Sequence, residues 1–273
     1  MKLKEWTEYL WEKYNFTPKK ELGQNFLIDP RIVDRIIESS KLTKDDTVVE
    51  VGAGTGVLTE RLAKSADQVI AVEIDKKLCQ ILKEELAKYD NLTIICEDID
   101  QFCFEERFKQ PQSVKIVGNL PYQITSSLLL NLAKKKWIKF MVVMVQREVA
   151  ERLLVGVRDR RTGTLTVLMN YYTTINRIID IPPQAFIPAP KVGSSLLKID
   201  RKENLLAKNE DHFIAVVKGA FHWRRKMLVN ALSKELGKDK TLVKERLNRI
   251  GVDGKRRAED LRVEEFVRIS EVL

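Results

Sequence analysis

The sequence predicts an α/β protein, with a mostly parallel β-sheet flanked by helices and a smaller, basic helical domain at the C-terminal end. Short runs rich in β-branched residues alternate with helical patterns over residues 47 to 146, which is typical of βαβ units. A glycine turn, EVGAGTG, directly follows the first of these runs. From about residue 203 the strand patterns stop, and the rest of the chain has the pattern of short helices.

The N-terminal part of the chain has helical patterns on either side of a basic link. An amphipathic helix that packs on the body of the protein is predicted from four apolar residues at helical spacing, namely Leu3, Trp6, Leu10 and Tyr14. A polar, basic link, TPKKELGQN, follows. Asp29 as N-cap and Pro30 at the first helical position predict the start of a second helix.

The strands then follow in a regular order. Five buried parallel strands are predicted at TVVEV, QVIAVEI, LTIIC, VKIVG and FMVVMV, because short continuous apolar runs are typical of strands covered on both faces. Two later runs, INRIIDI and SSLLKID, are expected to complete the sheet. We therefore divide the chain into an N-terminal helical extension (1–17), an α/β domain (18–202) and a basic helical domain (203–273).

Positive charge is concentrated near the C-terminal end. Between residues 218 and 257 there are thirteen Lys and Arg residues and four acids, so this segment accounts for the whole formal net charge of +9. Such a concentration favours a polyanionic partner, and a solvated helical face is the alternative for any single lysine. We expect the domain to bind nucleic acid and expect Arg224, Arg225 and Lys226, here called the basic loop, to be among its contacts.

Composition also bears on location and redox state. The longest apolar runs, such as VVMV and SLLLNLA, are far shorter than the roughly 20 residues that cross a bilayer, and the N-terminus lacks the pattern of a secretory signal. We expect a cytoplasmic protein with no membrane partner.

The three cysteines, Cys79, Cys96 and Cys103, include no CxxC pair, which argues against a disulfide framework or a zinc site. We expect all three to be reduced thiols.

The glycine turn and two acids predict a nucleoside site. Val57 occupies the position where the dinucleotide fingerprint GxGxxG requires its last glycine, so a dinucleotide fits poorly. Glu73 ends the second predicted strand and is suited to accept both hydroxyls of a ribose. Asp98 lies just past the third strand, where it can accept from an adenine amino group. Because parallel α/β sheets bind ligands at the carboxyl ends of their strands, we expect an adenosine-containing ligand without a pyrophosphate.

A second motif, GNLPYQ, follows the fourth predicted strand. The side-chain oxygen of Asn119 and the carbonyl of Leu120, held out by Pro121, would give two acceptors for one planar amine, and Tyr122 would stack on its ring. Acceptors on the N6 hydrogens of adenine favour a pyramidal nitrogen and stabilise the positive charge that grows during methylation. A plain strand-to-helix turn is the alternative.

Two further observations concern the chemistry. Phe186, in AFIPAPKVGS, would either press on an extruded base or plug the core. The two histidines, His212 and His222, both lie in the basic helical domain. A methylated N6 ammonium loses its proton to water unaided, so the reaction needs no strong base.

Seven motifs together resemble one known family. KKELGQNFLID, EVGAGTG, VIAVEID, the aspartate of ICEDID, GNLPY, AFIPAPKVGSSLL and FHWRRKMLVNAL occur in order from about residue 18 to the C-terminus, and they are similar to those of the KsgA-type small-subunit rRNA adenine N6,N6-dimethyltransferases. The resemblance implies a Rossmann-like class I methyltransferase fold, S-adenosylmethionine as methyl donor and S-adenosylhomocysteine as product. It also implies a target of two adjacent adenosines near the 3′ end of small-subunit rRNA.

The resemblance assigns roles to particular residues. Contacts with the donor are implied for Asn25, Leu27, Gly52, Gly54, Glu73, Asp98 and Asn119. Contacts with the adenine are implied for Asn119, Leu120, Pro121, Tyr122 and Phe186. We expect a monomer that acts on a pre-ribosomal 30S particle during ribosome biogenesis, without a metal.

Two features depart from the family pattern, and two other functions stay open. Residues 1–17 extend beyond the usual start, and the loop RDRRTGTLTV has TGTL in place of an aromatic-Gly-basic-Leu sequence, just after Arg158, Arg160 and Arg161. The alternatives are a large-subunit rRNA methyltransferase of the macrolide-resistance type and a non-catalytic binding factor. Leu120 in NLPY and the basic RRKMLVNAL segment favour the small-subunit enzyme.

Overall fold

The computed structural model describes residues 2–104, 114–121, 124–155 and 159–273. Its strands are β1 (Phe26–Leu27), β2 (Thr47–Val51), β3 (Gln68–Glu73), β4 (Leu92–Cys96), β5 (Val114–Asn119), β6 (Ile138–Gln146), β7 (Thr173–Ile181), β8 (Phe186–Ile187) and β9 (Ser194–Arg201). Its helices are α1 (Leu3–Lys13), α2 (Pro30–Ser40), α3 (Val57–Ser65), α4 (Lys76–Glu85), α5 (Thr125–Lys134), α6 (Arg147–Leu154), α7 (Thr164–Tyr172), α8 (Glu210–His222), α9 (Leu228–Leu236), α10 (Lys240–Arg249) and α11 (Val263–Val272).

Seven of the strands form one sheet in the order β4-β3-β2-β5-β6-β9-β7. The pairs β3–β4, β2–β3, β2–β5 and β5–β6 are parallel, and β9 runs antiparallel to β6. The strand order reverses at β2, which lies between β3 and β5, and open α/β sheets bind ligands at such a switch point. The predicted α/β fold is therefore confirmed, and all seven predicted strands are present.

The sheet is covered on both faces, as its apolar strands require. Every residue of β2 is buried, and so is every residue of β5 except its last, Asn119. One buried ion pair lies within this core, where Lys115 Nζ is 2.6 Å from Asp46 Oδ2 and also donates to the carbonyl of Lys41. Burial would raise the pKa of Asp46, but its hydrogen bond with Lys115 holds the pKa below the usual value.

The predicted helix starts near the N-terminus are also present. The side chain of Asp29 accepts from the backbone N–H of Arg31 and caps α2, with Pro30 at the first helical position. Helix α1 packs on the body through a cluster that includes Leu10, Phe16 and, from α4, Leu78. The amphipathic pattern of the N-terminal segment therefore marks a helix whose apolar face is buried.

The chain divides into two compact units. The first is Met1–Ala150 with Ile175–Arg201, and the second is Glu151–Thr174 with Lys202–Leu273. The second unit thus includes α7, which the sequence analysis placed in the α/β domain. The reason lies in its aromatic side chains: Tyr171 packs on Phe213 of α8 with 4.2 Å between ring centroids, and Tyr172 donates to Glu210.

The cysteines differ from expectation. Cys79 on α4 and Cys96 at the end of β4 form a disulfide, with 5.8 Å between their Cα atoms, and Cys103 is free. The expectation of three reduced thiols is therefore wrong for this pair, because packing of α4 beside β4 brings together two cysteines that are 17 positions apart. Within the described ranges no helix is both long and apolar enough to cross a membrane.

Candidate active site

A cavity of about 240 Å³ opens at the carboxyl ends of the central strands in the first unit. Eight of the residues expected at the site line this cavity, namely Asn25, Gly52, Gly54, Glu73, Asp98, Asn119, Leu120 and Pro121. They come from four strand ends and from the segment before α2, because the carboxyl ends of parallel strands meet at one edge of a sheet. The cavity is large enough for part of a nucleoside and is open on one side.

The first residue of GNLPYQ must be a glycine. Gly118 has a φ of +156°, and a Cβ at this position would overlap the backbone carbonyl of Val51 on the neighbouring strand. This close approach of β5 to β2 carries Asn119 to the edge of the glycine turn. Both interpretations of GNLPYQ, an amine-binding motif and a plain strand-to-helix turn, are compatible with this packing.

The amide of Asn119 has a defined orientation. Its Nδ2 donates to the carbonyl of Asn25 at 3.2 Å, so its Oδ1 is the atom left to accept. That Oδ1 is buried and has no hydrogen-bond partner. A buried acceptor without a partner costs free energy unless another group donates to it, so this oxygen has the capacity to accept one hydrogen bond from a ligand.

Hydrogen bonds to the backbone hold Leu120 and Pro121. The N–H of Leu120 donates to the carbonyl of Met144 on β6 at 3.1 Å. The carbonyl of Pro121 accepts from Thr125 Oγ1 at 2.7 Å at the start of α5. Tyr122 lies outside the described residues, so its expected stacking role stays a prediction. Arg158, of the loop RDRRTGTLTV, also lies outside them.

Glu73 links the ligand cavity to the glycine turn. Its Oε2 accepts from the N–H of Gly54 at 2.9 Å and its Oε1 from the N–H of Asp75 at 3.0 Å. The side chain is almost fully buried, and this burial raises its pKa above the usual value. Each oxygen keeps a second lone pair. The carboxylate can therefore accept from the glycine turn and, at the same time, from the two hydroxyls of a bound diol.

Asp98 lines the same cavity. It is half-buried, and its Oδ1 accepts from the N–H of Asp100 at 3.0 Å, which fixes the side chain just past β4. Together with Glu73 it provides two acceptors on neighbouring strand ends, the arrangement that the sequence analysis expected for an adenosine group.

Two expected site residues do not line the large cavity. Leu27 pairs with Phe186 between β1 and β8, and both side chains belong to the same apolar core cluster. Leu27 borders a smaller neighbouring cavity of about 50 Å³. Phe186 is 2% exposed, so in this structure it has the position of a core plug, and contact with a base would require it to move.

The basic loop lies in the second unit. Arg225 and Lys226 are exposed, and Lys226 Nζ lies 4.9 Å from the ring centroid of Trp223. Arg224 donates to the carbonyl of Arg160 and lies 3.6 Å from Glu259. Two of the three expected RNA contacts are thus available to a polyanion, and the third is partly engaged within the protein.

The structure adds one acid that the sequence analysis did not single out. Glu50 borders the smaller cavity together with Asn119, is 1% exposed, and has an Oε2 without a partner. Burial, with a smaller contribution from the charge of Glu73, raises its pKa to about 8. The only signal in the sequence was an acid inside an apolar strand, at the first position of EVGAGTG.

The cavity fits an adenosine-containing methyl donor. Glu73 and Asp98 have carboxylate oxygens that can accept hydrogen bonds from an adenosine. Asn119 Oδ1, near the glycine turn, has no hydrogen-bond partner. Together with the sheet order and the antiparallel pairing of β9 with β6, this site defines a class I methyltransferase, a class that uses S-adenosylmethionine. Among the described residues, no group of three or more His, Cys, Asp or Glu side chains is placed to hold a metal ion.

The chain belongs to the ribosomal RNA adenine dimethylase family, whose match covers residues 15–273. It is 40% identical over 277 residues to the ribosomal RNA small subunit methyltransferase A of Bacillus cytotoxicus, covering 98% of this chain and 95% of the relative. A protein of the same name from Clostridium botulinum is 40% identical over 270 residues, covering 98% of each chain.

Solved structures agree with this assignment. A dimethyladenosine transferase from Plasmodium falciparum has a TM-score of 0.78 and 26% identity, covering 89% of this chain and 95% of that one. The 23S rRNA methyltransferase ErmE has a TM-score of 0.71 and 27% identity, covering 91% of this chain and 99% of that one.

The family match begins near the expected start of the α/β domain, but the bacterial relatives cover 98% of this chain. At least part of the N-terminal extension is therefore shared with them, and in this respect the expectation of an unusual extension was wrong.

Proposed function

We propose that this protein transfers methyl groups from S-adenosylmethionine to the N6 atoms of two adjacent adenosines near the 3′ end of small-subunit rRNA. It does so as a cytoplasmic monomer on a pre-ribosomal 30S particle, in ribosome biogenesis. The observation that carries this proposal is the buried, unpartnered Asn119 Oδ1 in a cavity that also presents Glu73 and Asp98.

The donor side is assigned to the strand ends and the glycine turn. Glu73 accepts from the ribose hydroxyls and Asp98 from the adenine amino group, while Asn25, Leu27, Gly52 and Gly54 contact the remainder of the donor. S-adenosylmethionine supplies an electrophilic methyl group and leaves as S-adenosylhomocysteine, with no metal required. The hydrogen bond from the Gly54 N–H to Glu73 supports this assignment, because it couples the ribose acceptor to the turn.

The acceptor side is assigned to the NLPY segment. Asn119 Oδ1 and the carbonyl of Leu120 accept from the two N6 hydrogens of the target adenine, which turns the nitrogen lone pair toward the methyl group. The same two dipoles stabilise the positive charge that develops on N6. The resulting ammonium then loses its proton to water. Pro121 shapes the turn, and Tyr122 is the proposed stacking platform for the base.

The relatives favour the small subunit over the large one. Two bacterial proteins named for the small subunit are 40% identical to this chain, whereas ErmE, named for 23S rRNA, is 27% identical. The dimethyladenosine transferase and ErmE have similar TM-scores to this chain, 0.78 and 0.71, so the fold alone does not separate the two alternatives.

A methylation assay tests the proposal directly. Purified protein is incubated with labelled S-adenosylmethionine and with small or large ribosomal subunits that lack the modification, and the RNA is analysed by mass spectrometry. We expect N6,N6-dimethyladenosine at two adjacent positions in small-subunit RNA alone. Label in large-subunit RNA would favour the macrolide-resistance type, and no label in either would favour a non-catalytic factor.

Asn119→Ala tests the role of the acceptor. By analogy with the loss of one oxyanion-hole donor, the single-turnover rate at saturating donor and RNA is expected to fall about 10²–10³-fold. Asn204→Ala, in the exposed loop after β9, is the matched control and should react at the parental rate. If Asn119→Ala also reacts at the parental rate, Asn119 has no acceptor role.

A further inference from the structure

One wall of the donor cavity is a short segment, residues 24–27, here called the donor-site segment. Gln24, Asn25 and Phe26 line the cavity. Gln24 donates to Asp75 at 2.9 Å, and the Asn25 carbonyl is the acceptor that orients the Asn119 amide. The position of this segment therefore determines both the width of the cavity and the direction of Asn119 Oδ1.

The ring of Phe26 packs directly on the glycine turn. A Cβ added at Gly54 would lie 3.1 Å from Phe26 Cδ1, so the absence of a side chain at Gly54 makes room for the ring. The N–H of Gly54 is the group that donates to Glu73. Phe26 thus contacts the turn that holds the proposed ribose acceptor.

The N-terminal helix and the residues just after it support the same ring. Trp11 of α1 packs edge-on against Phe26, with ring centroids 5.7 Å apart and planes at 68°. Phe16 makes a second edge contact, at 6.0 Å and 77°. Such pairs contribute beyond the apolar area that they bury. Phe26 is therefore held between Gly54 and two aromatic rings from residues 1–17.

Polar contacts fix this N-terminal segment to α4. The hydroxyl of Tyr14 lies 2.9 Å from Glu84 Oε2 and 2.7 Å from Glu85 Oε1, so its single proton is shared between two acceptors, and Lys13 Nζ lies 2.6 Å from Glu85 Oε1. Helix α4 begins two residues beyond Ile74, which also lines the donor cavity. The N-terminal segment is therefore anchored on α4, a helix that begins beside the donor cavity.

We propose that α1 is a part of the donor-binding site, in which Trp11 acts as a positioning residue for Phe26 and the donor-site segment. This inference rests on the proposed function, since it takes the 240 Å³ cavity to be the donor site. Without Trp11 the Phe26 ring loses the support of one neighbouring ring, and the donor-site segment becomes less ordered. Part of the binding free energy of the donor is then spent on ordering this segment. Donor affinity falls, while the chemical step at saturating donor is unchanged because Asn119 is then in place.

The experiment compares two tryptophans of the same helix. Both pack against the apolar cluster that contains Phe26, but Trp6 stacks on Tyr9 with centroids 5.8 Å apart, whereas Trp11 contacts the Phe26 ring itself. For Trp11→Ala we expect the Kd for S-adenosylhomocysteine, measured by calorimetry, to rise about tenfold, and the KM for S-adenosylmethionine to rise alike while kcat stays within about twofold. Trp6→Ala should lower the melting temperature and leave the Kd within about twofold. Trp11→Phe should restore most of the affinity.

The possible outcomes separate positioning from general packing. Equal rises in Kd for Trp11→Ala and Trp6→Ala, or a lower melting temperature with an unchanged Kd for Trp11→Ala, would overturn the inference. If Trp11→Ala does not fold, Phe16→Leu takes its place. The Kd is again expected to rise about tenfold, and a lower melting temperature with an unchanged Kd would again overturn the inference. A parental protein that binds no S-adenosylhomocysteine would instead remove the proposed function.

Discussion

Replacing Glu50 with glutamine should change how stability depends on pH. Glu50 is 1% exposed, and its pKa is about 8 in the folded protein against an ordinary value of 4.5. In the unfolded chain the carboxyl ionises near the ordinary value. Between these two values the folded state binds more protons than the unfolded state, so the free energy of unfolding falls as pH rises.

The magnitude follows from the two pKa values. At about 1.4 kcal/mol for each pH unit, the range from 4.5 to about 8 corresponds to a loss of roughly 5 kcal/mol. Below pH 4.5 the carboxyl is protonated in both states, and above about 8 it is ionised in both. Glutamine keeps the shape of the side chain and does not titrate, so Glu50→Gln should not show this loss.

Urea unfolding at several pH values between 5.5 and 9 is the assay. The difference in free energy of unfolding between Glu50→Gln and the parent should grow in favour of the variant by about 1.4 kcal/mol for each pH unit up to about pH 8, then level off. Glu8→Gln, at an exposed position of α1, should give a profile parallel to the parent. If Glu50→Gln also runs parallel to the parent, Glu50 is ionised in the folded protein and the reasoning from burial is wrong.

Three further predictions concern the ion pair, the cysteines and the basic loop. Lys115→Ala leaves the buried carboxylate of Asp46 without its partner and should lower the free energy of unfolding by about 3–5 kcal/mol; a loss no larger than that of Lys139→Ala, at an exposed position of β6, would contradict this. A thiol reagent added to denatured, unreduced protein should find one thiol for each chain, that of Cys103, and finding three would exclude the disulfide. Glutamine at all three positions of the basic loop should weaken binding to small ribosomal subunits and flatten its dependence on salt concentration, because fewer counterions are released. The affinity for S-adenosylhomocysteine should not change, and an unaltered salt dependence would place the loop outside the RNA surface.

Much of the fold, and the meeting of several expected residues at one cavity, could be predicted from the sequence. Strand and helix patterns are local, so the seven strands, the capped start of α2 and the apolar face of α1 were all anticipated. Glu73 and Asp98 were placed correctly at one cavity. This follows because parallel strands present their carboxyl ends at one edge of the sheet, whatever the details of packing.

Other features depend on contacts between distant parts of the chain. No local pattern predicts that Glu50 Oε2 lacks a partner, that Cys79 and Cys96 form a disulfide, or that α7 belongs to the second unit. Phe186 shows the same limit, because the sequence allowed either a base contact or a core plug, and its burial beside Leu27 in this structure follows from packing with a distant segment.

The sequence by itself determined the order of strands and helices, the glycine turn and the residue types at the strand ends, since periodicity and turn chemistry act over a few neighbouring residues. Only the tertiary structure decided which atoms of those residues are free to act. The amide of Asn119 is oriented by the carbonyl of Asn25, 94 positions earlier, and Phe26 is supported by Trp11 from a separate helix. Such contacts form when distant segments pack, and a pattern of neighbouring residues does not encode them.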